Sequence, residues 1–193
     1  MNQGVVSSDD EVLILVNADD EAIGSLSKGA CHDGEGVLHR AFSVFLFDQD
    51  NRLLVQQRSK GKRLWPMYWA NSCCSHPRLG EDMNTATSRR IREELGVEAD
   101  LEYVYKFQYH ARFGDLGSEH ELCSVYLGRV AASAIEPNPT EIANTQWLEP
   151  AEVDAWMSQG SPDDAIAPWF RMEWSELRVG QPSVLVEFLK AKG

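Results

Sequence analysis

Residues 75–97, with the sequence SHPRLGEDMNTATSRRIREELGV, decide the fold. The pattern predicts a helix over 83–97 that ends around Gly96, because glycine tolerates the left-handed conformation of a helix C-cap. Arg90 and Glu94 are four residues apart, so they lie on one helix face and can form an ion pair. On these residues alone, the ordinary interpretation is a solvated helix whose charged side chains pair with one another.

The stretch also resembles the Nudix box, a loop–helix–loop motif that holds metal ions and a diphosphate. The matching positions are Glu81, Arg89, Ile91, Glu93, Glu94, Gly96 and Val97. Ser75 stands where the box has glycine, and Arg90 stands where it has glutamate. Because the acidic cluster of the box holds the metals that activate water at phosphorus, a cation at position 90 argues against hydrolysis and still suits phosphate.

Strand patterns surround this single central helix. Strands are predicted at 11–17, 37–48, 52–58, 101–113, 119–131 and 145–150, a turn at 18–24, a loop at 61–80, a helix at 149–159 and a helical tail from 167. The order predicts an α/β (α+β) fold with a Nudix-like mixed β-sheet sandwiched between helices. We expect residues 1–193 to form a single domain whose first ten residues are flexible.

Composition limits the class of protein. The chain has 193 residues, of which 43% are hydrophobic and 25% charged, as in soluble globular proteins. The net charge of −12 argues against nucleic acid or an anionic membrane as a partner. Neither a secretory signal nor an apolar run of roughly 18 residues is present. With four irregularly spaced cysteines, we expect a cytoplasmic protein with free thiols. We also expect a monomer.

The segment NSCCSHP, residues 71–77, places two cysteines side by side. Four interpretations are open: a strained disulfide, half of a zinc site, a catalytic thiol beside a bystander, or two small buried side chains. His76 follows two residues after Cys74, and these residues alone do not decide among the four.

Histidines and glutamates form a second candidate site. Glu119 and Glu121 are two residues apart on a predicted strand, so their side chains share a face, with His120 on the opposite face. His32, His39 and His76 complete a set of nitrogen and oxygen donors that suits a divalent transition metal. Each histidine alone is more often an ordinary hydrogen-bonded residue, so the metal site requires that they converge in space.

The basic segment RSKGKR, residues 58–63, stands out in an acidic chain. It is either an exposed, solvated loop or a loop that binds phosphate through lysine and arginine. A nucleic-acid site is a weak alternative, because the segment is short and the overall charge is negative.

Taken together, these motifs resemble the type 1 isopentenyl-diphosphate isomerases. The resemblance is carried by 13–32, 38–48, LLVQQR (53–58), 64–81, RRIREELGV (89–97), FQYHA (107–111), EHELC (119–123) and PWF (168–170). It implies a Nudix-fold isomerase that moves a double bond between isopentenyl and dimethylallyl diphosphate by protonation on one face and deprotonation on the other. The substrate is a small allylic or homoallylic diphosphate.

The resemblance also implies roles for individual residues. The catalytic positions match Cys74, Glu121, Tyr109 and Trp169, and the diphosphate contacts match Lys28, Arg58, Lys62 and Arg90. The ligands of a Mn²⁺ or Zn²⁺ ion match His32, His39, His76, Glu119 and Glu121, and the residue at a Mg²⁺ ion on the diphosphate matches Glu94. Within NSCCSHP, the resemblance selects Cys74 as the proton-handling thiol and leaves Cys73 as a packing residue.

Two other functions remain open. A Nudix pyrophosphohydrolase would release phosphate or a mononucleotide, and Arg90 argues against it. A metal-binding or phosphometabolite-sensing module would use the same histidines and glutamates without turnover.

Overall fold

Nine β-strands and five α-helices occur in the described residues, which are 6–159 and 165–191 of the computed structural model. The strands are β1 (Val12–Val16), β2 (Ala22–Ser27), β3 (His39–Phe47), β4 (Leu53–Arg58), β5 (Trp69–Ala70), β6 (Cys73–Ser75), β7 (Leu101–Phe113), β8 (Gly117–Arg129) and β9 (Ile142–Leu148). The helices are α1 (Lys28–Cys31), α2 (Met83–Leu95), α3 (Pro150–Gln159), α4 (Pro168–Ser175) and α5 (Pro182–Lys190). None of these helices is both long and apolar enough to span a membrane.

The central strand β3 brings distant parts of the chain together. It runs parallel to β8, with His39 opposite Glu121, and antiparallel to β6, with Ser43 opposite Cys74. Strands β7 and β8 form an antiparallel pair in which Tyr109 is opposite Glu121. Because β3 and β8 are parallel, a long crossover that contains α2 must connect them. The sheet is therefore mixed, and its register places several predicted site residues side by side.

The two faces of the sheet are covered by different helices. Side chains of β3 alternate between the faces, as in any strand. Phe42, Val44 and Leu46 share a buried cluster with Ile91 and Leu95 of α2. Ala41, Phe45 and Phe47 share another with Trp169, Phe170 and Trp174 of α4. The predicted sheet between helices is confirmed, and truncating a large side chain in either layer would cost about 2–5 kcal/mol.

Helix α2 is fixed at both ends by the residues that flank it. The Asp82 side chain accepts a hydrogen bond from the Thr85 amide at 2.8 Å, which caps the start. Gly96 has a φ of 71° and ends the helix in the left-handed conformation, so the predicted glycine cap is confirmed. The helix consequently stops at Leu95, two residues before the predicted boundary.

Three short strands differ from the prediction. The turn predicted for 18–24 is shorter, because the Asn17 side chain accepts hydrogen bonds from the Asp19 and Glu21 amides and closes it at once. Strand β2 then pairs with β1. The loop predicted for 61–80 contains β5 and β6. Their partners are the distant strands β4 and β3, a contact that local sequence patterns do not reveal.

The C-terminal tail is helical, as predicted from 167 onward. A π-helical turn at Glu176–Gly180 separates α4 from α5, and Pro182 begins α5, where its missing N–H leaves no bond unmade. Of the segment predicted to be flexible, 1–10, the first five residues lie outside the described part. In the remainder, the Asp9 carbonyl accepts a hydrogen bond from the Gly29 amide at 2.9 Å.

Candidate active site and metal centre

Most predicted site residues line one pocket of about 730 Å³. These residues are Lys28, His32, Arg58, Lys62, Cys74, His76, Arg90, Tyr109, Glu119, Glu121 and Trp169. His39 and Glu94 are buried and do not line it. The pocket is therefore lined by side chains from the helices on both faces of the sheet, α2 and α4, and from β6 and β8, the neighbours of β3.

The predicted histidines and glutamates converge into a compact group, called here the His/Glu cluster: His32, His39, His76, Glu119 and Glu121. One donor atom from each residue lies within 4.8 Å of all the others. His32 follows α1, His39 begins β3, His76 follows β6, and both glutamates lie on β8. The expected convergence in space is confirmed. His120 lies apart, hydrogen-bonded to Gln108 at 3.2 Å.

Backbone carbonyls orient two of the imidazoles. His32 Nδ1 lies 2.6 Å from the Lys28 carbonyl, and His39 Nδ1 lies 2.7 Å from the Val37 carbonyl. Since a carbonyl only accepts, Nδ1 of each ring carries a proton, and Nε2 of His39 is left with its lone pair. His32 Nε2 lies 2.7 Å from Glu119 Oε2, and His76 Nε2 lies 2.9 Å from Glu121 Oε1.

The electrostatics of the His/Glu cluster fit a bound cation. Burial, with help from His32, lowers the pKa of His39 to about 4, and burial with His39 lowers the pKa of His76 well below its ordinary value. Both rings are therefore neutral at pH 7. In the described part of the chain, the buried His39 Nε2 has no hydrogen-bond partner. An unpaired buried nitrogen is costly, and a metal ion would satisfy it.

The two carboxyls of the cluster differ in charge. Burial raises the pKa of both, but His32 holds the pKa of Glu119 well below its ordinary value. Burial and the neighbouring Glu119 raise the pKa of Glu121 well above its ordinary value. Two adjacent carboxyls repel when both are ionised, and a divalent ion relieves that repulsion. Three imidazoles and two carboxylates are a donor set that suits a divalent transition metal.

The adjacent cysteines occupy different environments. Cys73 is fully buried in the cluster beneath α2. Cys74 is half-buried, lines the pocket, and donates from Sγ to Asn71 Oδ1 at 2.7 Å. Both are free thiols, so the disulfide interpretation is wrong. Burial, followed by the charge of Glu173, raises the pKa of Cys74 well above its ordinary value.

Aromatic groups complete the wall that contains Glu121. Tyr109 donates from its hydroxyl to Glu121 Oε2 at 2.8 Å. Trp169 lines the same pocket, and its ring centroid lies 6.4 Å from that of Tyr109. The Arg58 guanidinium lies 5.1 Å from the Trp169 ring, close enough for a cation–π contact.

The second group in the pocket, called here the Lys/Arg cluster, consists of Lys28, Arg58, Lys62 and Arg90. Burial and the charges of Lys62 and Arg90 lower the pKa of Lys28 to about 8. Arg58 donates to the carbonyls of Trp65 and Leu64 at 3.1 and 2.9 Å. The predicted ion pair between Arg90 and Glu94 is confirmed.

Sequence reasoning missed two buried carboxyls near the pocket. Glu141 lines the pocket and contacts Lys62 and Arg90. Glu173 is fully buried in α4, and Cys123 donates to its Oε1 at 3.6 Å. Burial raises the pKa of Glu173 to about 8. Glu173 did leave a signal, because it shares the apolar stripe of α4 with Phe170 and Trp174, and Leu177 continues this stripe in the following π-helical turn.

Comparison with known proteins defines the class first. The family model for the NUDIX domain matches residues 37–170. A crystal structure of a Deinococcus radiodurans protein superposes with a TM-score of 0.63 at 28% identity, covering 78% of this chain and 91% of that one. Fold and family model agree on a Nudix domain.

Curated relatives narrow the class. The isopentenyl-diphosphate Delta-isomerase 1 of Photorhabdus laumondii is 37% identical over 169 residues, covering 86% of this chain and 94% of the relative. The isopentenyl-diphosphate Delta-isomerase of Nocardia farcinica is 42% identical over 156 residues, covering 80% and 87%. The chain belongs to the isopentenyl-diphosphate Delta-isomerase family of Nudix proteins.

Proposed function

We propose that the protein interconverts isopentenyl diphosphate and dimethylallyl diphosphate. One observation carries the proposal: Cys74 and the Tyr109–Glu121 pair line a single pocket that also contains a cation cluster. An alkene isomerisation of this kind needs one group to deliver a proton and another to remove one, together with an anchor for the diphosphate. The names of the curated relatives support the same reaction.

The Lys/Arg cluster anchors the substrate at its diphosphate. A diphosphate ester carries about two to three negative charges near pH 7, and Lys28, Lys62 and Arg90 bring compensating charge to one pocket. Binding energy from this unreactive group holds the alkene in place between Cys74 and Glu121. The hydrocarbon part of the substrate is small and apolar, so it has no polar group through which the pocket could orient it.

The proton chemistry is divided between Cys74 Sγ and the Glu121 carboxyl. One of them adds a proton to the terminal CH₂ carbon, which leaves positive charge on the tertiary carbon. The other accepts the proton lost from C2, and the new double bond forms between C2 and C3. Trp169 offers the face of its indole to the developing cation. The substrate neither gains nor loses protons overall, while the two residues exchange protonation states and must reset before the next turnover.

Tyr109 holds the carboxyl of Glu121 through its hydroxyl. We assign Mn²⁺ or Zn²⁺ to the His/Glu cluster, where the ion supplies positive charge that stabilises the Glu121 carboxylate. We assign Mg²⁺ to the diphosphate, with Glu94 as its ligand in the family pattern. The proposal further includes a cytoplasmic location, supported by the free thiols, and no nucleic-acid or membrane partner, supported by the net charge of −12. It also includes a monomeric state.

Conversion of radiolabelled isopentenyl diphosphate tests the function directly. The protein is supplied with Mg²⁺ and with Mn²⁺ or Zn²⁺, and the reaction is quenched in acid. An allylic diphosphate ionises in acid and becomes extractable into organic solvent, whereas the homoallylic substrate does not. We expect extractable label to rise to an equilibrium plateau. Release of inorganic phosphate before the quench, without allylic product, would instead support a pyrophosphohydrolase.

A further inference from the structure

Glu141 occupies a rigid position in the pocket wall. It lies in the turn before β9, and its side chain is only 2% exposed. The Ser59 amide donates to the Glu141 carbonyl at 2.8 Å, and the Asn138 amide donates to the Glu94 carbonyl at 2.8 Å. These hydrogen bonds connect the turn both to the basic segment 58–63 and to the end of α2. The carboxylate is therefore held beside the Lys/Arg cluster by the backbone.

The carboxylate of Glu141 already pairs with two of the cationic side chains that the proposed function assigns to the diphosphate. Lys62 Nζ and Arg90 Nη2 both donate to Oε2. In the part of the chain that the structure describes, no hydrogen bond reaches Oε1. Although burial raises the pKa of Glu141, Lys62 and Arg90 hold it below its ordinary value, so the group is ionised at pH 7.

Glu94 is placed differently. It pairs with the same Arg90 guanidinium, but it does not line the pocket. Arg90 Nη1 is further engaged with the Val6 carbonyl at 2.8 Å and with Glu93 at 3.2 Å. Of the two carboxylates that pair with Arg90 Nη2, Glu141 is thus the one that lines the pocket.

We propose that Glu141 sets the ionic form of the ligand, so that the Lys/Arg cluster accepts a diphosphate complexed with a divalent cation and disfavours the bare anion. A bare diphosphate would bring its negative charges beside an ionised, buried carboxylate and compete with it for Lys62 and Arg90. With a cation–diphosphate complex, Glu141 would supply an oxygen ligand to the cation, and Lys62 and Arg90 would be free to pair with the phosphates. Magnesium is commonly held in this way, by one or two carboxylates together with substrate phosphates.

This inference rests on the proposed function, because it takes the Lys/Arg cluster as the diphosphate site. Its test needs no turnover. Inorganic pyrophosphate is titrated calorimetrically into metal-stripped protein, with and without Mg²⁺, and a titration of Mg²⁺ alone corrects for binding to the His/Glu cluster. We expect wild-type protein to bind pyrophosphate at least tenfold more tightly with Mg²⁺. Equal affinity in both conditions would overturn the proposal without any variant.

Three variants assign the effect to one carboxylate. In Glu141→Gln, bare pyrophosphate should bind about tenfold more tightly than in wild type, and the gain from Mg²⁺ should largely vanish. Glu141→Asp keeps the charge and should keep most of that gain. Glu98→Gln removes an exposed acid that pairs with Arg92 outside the pocket, and this variant should behave as wild type.

Glu94→Gln supplies the opposing outcome. If it abolishes the gain from Mg²⁺ while Glu141→Gln retains it, Glu94 alone accounts for the effect of the cation and the role proposed for Glu141 is wrong. The result is also separable from the proposed function. A protein that binds as expected but does not isomerise isopentenyl diphosphate contradicts the function alone, and an active isomerase with Mg²⁺-independent pyrophosphate binding contradicts the role of Glu141 alone.

Discussion

The two ends of the pocket meet opposite requirements. At the His/Glu cluster, the His39 and His76 rings are neutral, His39 Nε2 has no hydrogen-bond partner among the described residues, and two carboxyls lie close together. At the Lys/Arg cluster, Lys62 and Arg90 are already paired with Glu141. The donor set at the first end suits a divalent cation. At the Lys/Arg cluster, a diphosphate has to replace Glu141 as the partner of Lys62 and Arg90. We therefore expect the His/Glu cluster to retain its metal ion tightly and the Lys/Arg cluster to bind the diphosphate reversibly.

The largest effect is expected between the two ends, at Cys74. Cys74→Ser should lower kcat by about 10³-fold or more, because a serine hydroxyl is a far weaker acid than a thiol at the same position. Steady-state kinetics with isopentenyl diphosphate measure it. Cys73→Ala is the matched control: it lies in the core beneath α2, so it should stay active and lose about 1–2 kcal/mol of stability. Equal loss of activity in both variants would contradict the assignment.

The next effect concerns the metal end. His39→Gln should weaken Zn²⁺ or Mn²⁺ binding by roughly 100-fold, because loss of a ligand costs at least as much as loss of a supporting partner. Competition with a chelator of known affinity measures it. His120→Gln, on the opposite side of β8 and outside the cluster, should bind the metal as wild type does. Unchanged affinity in His39→Gln would remove His39 from the ligand set.

A smaller effect is expected at Tyr109, which contacts the Glu121 carboxyl of the His/Glu cluster. Tyr109→Phe removes the hydroxyl that donates to Glu121, and kcat should fall about 10- to 100-fold with little change in KM. Tyr103→Phe, an exposed tyrosine on the same strand, is the control. A change confined to KM would mean that Tyr109 binds substrate and does not orient the carboxyl.

The smallest effect is on stability, at the buried Glu173 of α4. Its pKa is raised by burial from an ordinary 4.5 to about 8. Between these values the folded protein keeps a proton that the unfolded chain releases, so this group makes the free energy of unfolding fall as pH rises, by roughly 1 kcal/mol per pH unit. Glu173→Gln should flatten that fall in urea titrations over the same range. An unchanged slope would mean that Glu173 is ionised in the folded protein.

Sequence patterns predicted the elements whose signals are local. Strand β3 and helix α2 have continuous apolar or periodic runs, and the alternation on β8 correctly separated His120 from Glu119 and Glu121. Glu141 could not be found in this way, because it lies in an irregular turn and its partners, Lys62 and Arg90, are distant in sequence. Strands β5 and β6 were missed for the same reason, since each is defined by pairing with a remote strand.

The most direct test of the account is proton NMR of isopentenyl diphosphate in D₂O with folded protein, Mg²⁺ and Mn²⁺ or Zn²⁺ at trace levels. Proton delivery from one face and removal from the other predicts that the terminal vinyl signals disappear, that signals of dimethylallyl diphosphate grow, and that deuterium enters one methyl group. Cys74→Ser should leave the spectrum unchanged. A folded, metal-loaded wild-type protein that neither forms the dimethylallyl product nor incorporates deuterium would contradict the account.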